Sequence, residues 1–258
     1  MPLEFDGKKY SKASAHQREW GARLIKEIDL SGEERILDLG CGDGALTARL
    51  AELVPEGSVL GVDAAKGMVA SARKHKHPNL SFRRMKIEHI NFKSEFDVVF
   101  ANGTLHWVKD HQSLLANVYI ALKNDGLMRF NFAADGNRSN LFRVVKEVMR
   151  LGKYAAYFAQ FEWPWYLAKP PEYKNLVKRL PFVGPRVWGE KADRHFPSEE
   201  ALTSWVDQPC IAPFLGCVKG KDKKPFRDEV CRRMVKATVQ DDGTFFETFR
   251  RVNVSARK

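Results

Sequence analysis

The sequence predicts an α/β fold: one sheet of seven mostly parallel strands, helices on both faces, and a helical lid inserted after the fifth strand. Three observations predict it. Short apolar runs alternate with helix-length stretches through the first two-thirds of the chain, which is the rhythm of βαβ units. A glycine cluster, DLGCGDG (Asp38 to Gly44), separates the first run from the first helix. After Ala134 the rhythm stops, and an aromatic knot, FEWPWY (Phe161 to Tyr166), is followed by Pro170 and Pro171.

Each element has its own signal. RILDL (35–39) is an apolar run closed by glycines and reads as a buried parallel strand. Residues 45–53 carry Leu46, Leu50 and Leu53 at helical spacing. SVLGVD (58–63) is the second strand, and 66–75 the second helix. LSFRRM (80–85) and FDVVFA (96–101) are strands three and four, and 110–122 is a helix. Asp125-Gly126 turns the chain into LMRFNFA (127–133), the fifth strand. Residues 135–184 read as mainly helical. RVWGEKADRHF (186–196) reads as a strand, 198–206 and 225–239 as helices, and the alternation of FFETFRRVNVSAR (245–257) as a last strand. The expected organisation is one integrated domain, with a core of 1–134 and 185–258 and a lid of 135–184.

Composition narrows the class. The chain has 258 residues, enough for one sizeable core. No stretch approaches the roughly 20 apolar residues that span a bilayer. The N-terminus, MPLEFDGKKYSKAS, lacks the apolar centre of a secretory signal, so a cytoplasmic protein without a membrane partner is expected. Cys41, Cys210, Cys217 and Cys231 form no CxxC pair and have no histidine at ligand spacing, so four reduced thiols and no metal are expected. The net charge of +11 invites anionic partners: a carboxylate metabolite, an acidic carrier protein or nucleic acid. Basic residues are densest between Lys219 and Lys236, but Asp222, Asp228 and Glu229 interrupt them. That mixture describes a solvated face and argues against nucleic acid.

The glycine loop carries the chemistry. Glycines there permit a tight turn and let a ligand approach the backbone. GCGDGA also satisfies the loose dinucleotide pattern, yet two acids argue against a diphosphate. Asp38 closes strand one, where it can meet a cationic amino group, and Asp43 lies inside the loop itself. Asp63, at the end of strand two, can accept hydrogen bonds from both hydroxyls of an adenosine ribose. S-adenosylmethionine has an adenosine and an ammonium but no phosphate, and the charges suit it.

On these residues the chain resembles the class I S-adenosylmethionine-dependent methyltransferases, a Rossmann-like family, over nearly its whole length. DLGCGDG is similar to their first motif, GVDAAKGM (61–68) to the segment after strand two, KIEHINF (86–92) to that after strand three, and FDVVFANGTLHWV (96–108) to the strand-four motif. The resemblance implies that Gly40 and Gly42 line the methionine moiety, with Asp38 near its amino group. It places Asp63 on the ribose, Ala64 and Met68 beside the adenine, and Ile87 and Glu88 on the adenine's other side. Asn102 faces the cofactor, and Trp20 joins the cofactor site. Lys86 departs from the family, which often has an aspartate there.

Within the family the chain resembles the trans-aconitate and juvenile hormone acid methyltransferases, through QREWG (17–21), LHWV (105–108) and the closing FRRVNVSARK. Both kinds convert a carboxylate to a methyl ester. By that likeness Gln17 and Trp107 would hold a substrate carboxylate, and S-adenosylhomocysteine would be the other product. A carboxylate is ionised at neutral pH, with a reference pKa of about 4, and needs no general base. His106 would be the base if the acceptor were a phenol or an amine. A carrier-bound acyl group and a nucleic acid are the remaining alternatives, and oligomeric state stays open.

Overall fold

The computed structural model describes residues 15–135 and 139–258; within them the side chains of 15–17, 208 and 209 lie outside the described set. The seven-stranded sheet has the order β3-β2-β1-β4-β5-β9-β6. Its strands are β1 (Arg35–Leu39), β2 (Ser58–Asp63), β3 (Leu80–Arg84), β4 (Phe96–Asn102), β5 (Leu122–Ala133), β6 (Val183–Lys191) and β9 (Arg250–Arg257). β1 to β5 run parallel to their neighbours, and β9 lies antiparallel to β5. Between them β7 (Arg194–Phe196) and β8 (Phe245–Glu247) form a separate antiparallel pair.

Two cores follow from the two-residue period of a strand. Leu37 and Leu39 of β1, with Val99 and Ala101 of β4, face one cluster, which takes in Leu114, Leu115 and Val118 of helix His111–Ala121. Ile36, Val98 and Phe100 face the other, covered by Leu24 and Ile25 of helix Ala15–Lys26 and by Leu50 and Ala51 of helix Ala45–Leu53. The parallel strands are therefore covered on both faces, as their continuous apolar runs require. Among the described residues no helix is long and apolar enough to cross a membrane.

The chain divides into two compact units. One holds the sheet and comprises the chain up to Asp135 with Trp165–Glu190 and Arg251–Lys258; the other is Gly136–Pro164 with Lys191–Arg250. This division differs from the expected insertion of 135–184. Tyr173, Val177 and Phe182 are buried in the sheet's core, so the segment after the aromatic knot belongs with the sheet. The second unit instead recruits 191–250, including helices Glu199–Trp205 and Lys223–Thr238. Its interior is aromatic: Phe214 lies 5.3 Å from Phe161 and 5.5 Å from Trp163 between ring centroids, and Tyr154 lies 5.1 Å from Phe226.

Two expected strands are each broken in two. Ala192 N–H donates to the Phe249 carbonyl, while Asp193 accepts from Phe249 N–H at 3.0 Å and from the Arg250 guanidinium. These bonds clamp both breaks at one place. The Asp125-Gly126 turn survives as a bulge inside β5, where Phe96 pairs with Leu122 but Val98 with Leu127. Asp125 takes φ of 61° there.

Candidate active site

The site is assembled at the carboxyl ends of neighbouring strands, where open α/β sheets bind ligands. Gly40, Gly42 and Gly44 follow β1 with φ of 72°, 56° and 83°. A Cβ on Gly40 would fall 2.2 Å from Thr104 Oγ1, so the loop there is packed against the chain after β4. At Gly42 nothing lies within 4 Å of the same position, and the backbone is open to an incoming group. Gly40 and Cys41 N–H both donate to the Val62 carbonyl, at 2.8 and 3.0 Å, which clips the loop to β2.

Acids dominate this end of the sheet. Asp38 is 3% exposed and accepts a 2.6 Å bond from Thr47 Oγ1. Burial pushes its carboxyl up to about 7; the Thr47 bond opposes the shift and the charge of Asp63 adds to it. Asp63 accepts from Gly42 N–H at 3.1 Å and from Ala65 N–H at 2.8 Å, so it shapes both the glycine loop and the turn after β2. Burial raises its pKa too, with the bonds from Ala65, Gly42 and Ala64 pulling it back. Asp43 lies 3.9 Å from Arg18. The buried Cys41 thiol stands among these three acids, and burial and their charges raise its pKa. A pocket edge so acidic lowers its own energy by taking up a cation.

The apolar residues expected around an adenine stand beside it. Met68 is buried and Ala64 half-buried just beyond β2, and Ile87 is buried just beyond β3. Glu88 is exposed; its carbonyl accepts from Asn117 Nδ2 at 3.3 Å. Lys86 is exposed.

At the end of β4 the structure gives a role to a residue of the closing FRRVNVSARK segment to which the sequence assigned none. Arg251, 2% exposed, donates through Nη2 to Asn102 Oδ1 at 2.7 Å and stacks 4.2 Å over the Trp20 ring. Its only trace in the sequence is the first position of the polar row Arg251, Asn253 and Ser255 in β9, opposite the apolar row Val252, Val254 and Ala256. Beyond Asn102 a short helical turn, Leu105–Trp107, presents His106 and Trp107. Trp107 meets Trp165 edge-on at 5.6 Å, and the His106 carbonyl accepts Tyr166 N–H at 2.8 Å.

His106 is half-buried with its Nδ1 enclosed. Burial, then the charge of Arg251, then that of His111, press its pKa down to about 3. His111, also missed, is buried, bonds Tyr173 Oη at 2.9 Å and the Leu105 carbonyl at 3.1 Å, and stacks on Tyr166 at 4.2 Å. The structure thus gathers Trp20, Asp38, Gly40, Gly42, Asp63, Ala64, Met68, Ile87, Asn102, His106 and Trp107 in the sheet unit. Gln17 falls on helix Ala15–Lys26, but its side chain lies outside the described residues.

Residues 36–126 match a sequence-family profile described as a methyltransferase domain. Trans-aconitate 2-methyltransferase of Methylobacterium nodulans is 32% identical over 257 residues, covering 99% of this chain and 98% of that protein. The protein of the same name from Deinococcus radiodurans is 27% identical over 227 residues, covering 86% of each. Among solved structures, Haemonchus contortus phosphoethanolamine N-methyltransferase 2 in complex with S-adenosyl-L-methionine matches with a TM-score of 0.63 at 17% identity. That match covers 98% of this chain and 56% of the other, and it speaks to the fold alone.

Proposed function

We propose that this chain, which belongs to the class I S-adenosylmethionine-dependent methyltransferases, esterifies a carboxylate of a small acid. The likeness to a trans-aconitate 2-methyltransferase along almost the whole chain carries the choice of acceptor, and His106 beside Trp107 agrees with it, its Nδ1 enclosed and its pKa lowered by burial. Such an imidazole is too weak a base to strip a phenol or an ammonium near neutral pH. A carboxylate arrives already ionised.

The residues present fit the cofactor. The acids at the ends of β1 and β2 suit a ligand with an ammonium and a ribose, and the open face of Gly42 admits it. Asp38 would hold the amino group, Asp63 the ribose hydroxyls, and Gly40 and Gly42 the methionine chain. Ala64, Met68, Ile87 and Glu88 would border the adenine, with Asn102 and Trp20 closing the site. When bound, S-adenosylmethionine supplies an electrophilic methyl on a sulfonium, leaving S-adenosylhomocysteine as product.

The protein's task is then positioning, which contributes roughly 7–11 kcal/mol in favourable cases. Gln17 and the Trp107 indole N–H would orient the carboxylate by neutral hydrogen bonds, which do not quench its charge as a salt bridge would. Trp107 and Trp165 form an aromatic wall that keeps water from it. The basic helix Lys223–Thr238 gives little support to a carrier protein or nucleic acid, since its Lys224, Arg227, Arg232 and Arg233 are engaged by Asp207, Asp228, Glu229 and Glu147.

The test is transfer of labelled methyl to a panel of small acids including trans-aconitate, with phenols, amines and acyl carrier protein beside them. Base-labile label in an acid is expected, and Gln17→Ala or Trp107→Phe should then lower turnover while sparing cofactor affinity. Label confined to phenols or amines would overturn the carboxylate assignment.

A further inference from the structure

Charge changes sign along the carboxyl edge of the sheet. Asp38, Asp43 and Asp63 stand at the ends of β1 and β2, and Arg251 meets the end of β4, on β1's other side. An anionic acceptor approaching this edge is repelled by the three acids. The guanidinium is the group beside Asn102 that offsets them, and because it is buried its field is poorly screened. That field reaches the neighbouring turn, where it opposes protonation of His106.

Arg251 also joins three distant segments. It lies in β9 opposite Ala133 of β5, bonds Asn102 in β4 and stacks on Trp20 of the first described helix. With its Oδ1 occupied by Arg251, Asn102 is fixed with Nδ2 as a donor. That Nδ2 lies 3.0 Å from where a Gly21 Cβ would be, so the helix packs directly over the amide. Trp20 follows Gln17 by three positions on this helix, and residues so spaced share a face.

We propose that Arg251 is the positioning residue that makes this site accept an anion, by holding Asn102 and Trp20 and by setting a positive potential where the acceptor's carboxylate arrives. The proposal deepens the carboxylate reading above and rests on it.

The experiment titrates trans-aconitate into protein loaded with S-adenosylhomocysteine, for the wild type, Arg251→Gln and Arg251→Lys, and measures S-adenosylhomocysteine affinity and melting temperature alongside. The wild type should bind trans-aconitate. Arg251→Gln should weaken that binding about thirtyfold or more, and at least about tenfold more than it weakens S-adenosylhomocysteine binding, which Asn102 and Trp20 also border. Arg251→Lys keeps the charge but loses the planar fork that reaches Asn102, and should weaken it about tenfold. Should Arg251→Gln not fold, Arg251→Lys decides, since unchanged trans-aconitate affinity in it overturns the positioning role. Equal loss of both ligands in either variant means Arg251 serves only the fold, and the proposal falls while the carboxylate reading stands. A wild type that ignores trans-aconitate and every other acid, yet binds phenols or amines, removes the carboxylate reading and Arg251's role with it.

Discussion

Glu247 and Arg194 of the second unit bury charge in a way opposite to Asp38 of the sheet unit. In the second unit Glu247 is fully buried, yet it caps helix Asn140–Met149 by accepting from Asn140 and Leu141 N–H at 2.9 and 3.0 Å. Burial raises its pKa, and those bonds with others from Ser139 and Thr248 draw it back. Arg194 is packed between the rings of Trp205 and Phe249, at 4.9 and 4.6 Å. In the sheet unit Asp38 has the Thr47 bond against full desolvation and a neighbouring acid, and its carboxyl rises to about 7. Charge completed by its surroundings marks architecture, whereas charge left expensive at a strand end marks a place for a ligand.

The largest expected effect breaks the second unit without touching the first. Phe214 is wholly buried among Phe161 and Trp163, and Phe214→Ala should lower unfolding free energy by about 3–5 kcal/mol. Calorimetry below the melting transition should still find S-adenosylmethionine affinity within about threefold of wild type. A tenfold loss would mean that the aromatic core shapes the cofactor site, and the contrast between the units would collapse.

Asp38 comes next. Asp38→Asn keeps the shape and the Thr47 contact but removes the charge, and should weaken S-adenosylmethionine binding at pH 8 by about 2–3 kcal/mol. The sign of its pH dependence follows from the raised pKa. The unliganded fold favours the neutral carboxyl, so Asp38's contribution to stability is full at low pH and is lost as pH rises through about 7. A cationic ligand favours the ionised form, so affinity should tighten about tenfold from pH 6 to pH 8, with proton release on binding. Calorimetry in buffers of different ionisation enthalpy measures that release, and Asp38→Asn should abolish it. Binding that weakens as pH rises would show that the ammonium goes elsewhere. Asp63→Ala sharpens the same point with a smaller loss, at least about tenfold in affinity, from missing ribose bonds and a loosened Gly42. Unchanged affinity in a titration would detach Asp63 from the ligand.

What the sequence made legible follows from where each signal resides. β1, helix Ala45–Leu53 and β2 fall on the expected residues because an apolar run, a leucine spacing and flanking glycines are local. Asp38 and Asp63 are placed as simply, because the end of a parallel strand fixes where its last side chain stands. The break between β8 and β9 was hidden, since the alternation of FFETFRRVNVSAR continues through it and the cause is Asp193, far away in the chain. The extent of the second unit was hidden likewise, because what assigns 165–184 to the sheet is the burial of Tyr173 and Val177 rather than composition. Arg251 was the hardest to see. An arginine in an alternating strand reads as solvent-facing, and only its meeting with Trp20 and Asn102 shows that it points inward.

The smallest effect belongs to His106, and it tests what kind of acceptor this edge serves. Its pKa lies near 3, below the ordinary 6.5, so the folded protein holds the imidazole neutral at every pH where the enzyme would work. A depressed histidine contributes stability that is full above the ordinary value and is lost as pH falls from there toward 3. His106→Gln should therefore flatten the acid limb of the stability curve, which urea unfolding at pH 7 and pH 5 would measure. With S-adenosylmethionine saturating, so that Asp38 stays ionised, the maximal rate should shift less than about threefold and show no inflection between pH 6 and 8 in either protein. A wild-type inflection in that range that disappears in His106→Gln would make the imidazole a working base. The edge at β4 would then serve an acceptor that must first lose a proton, and the neutrality of His106 would no longer argue for a carboxylate.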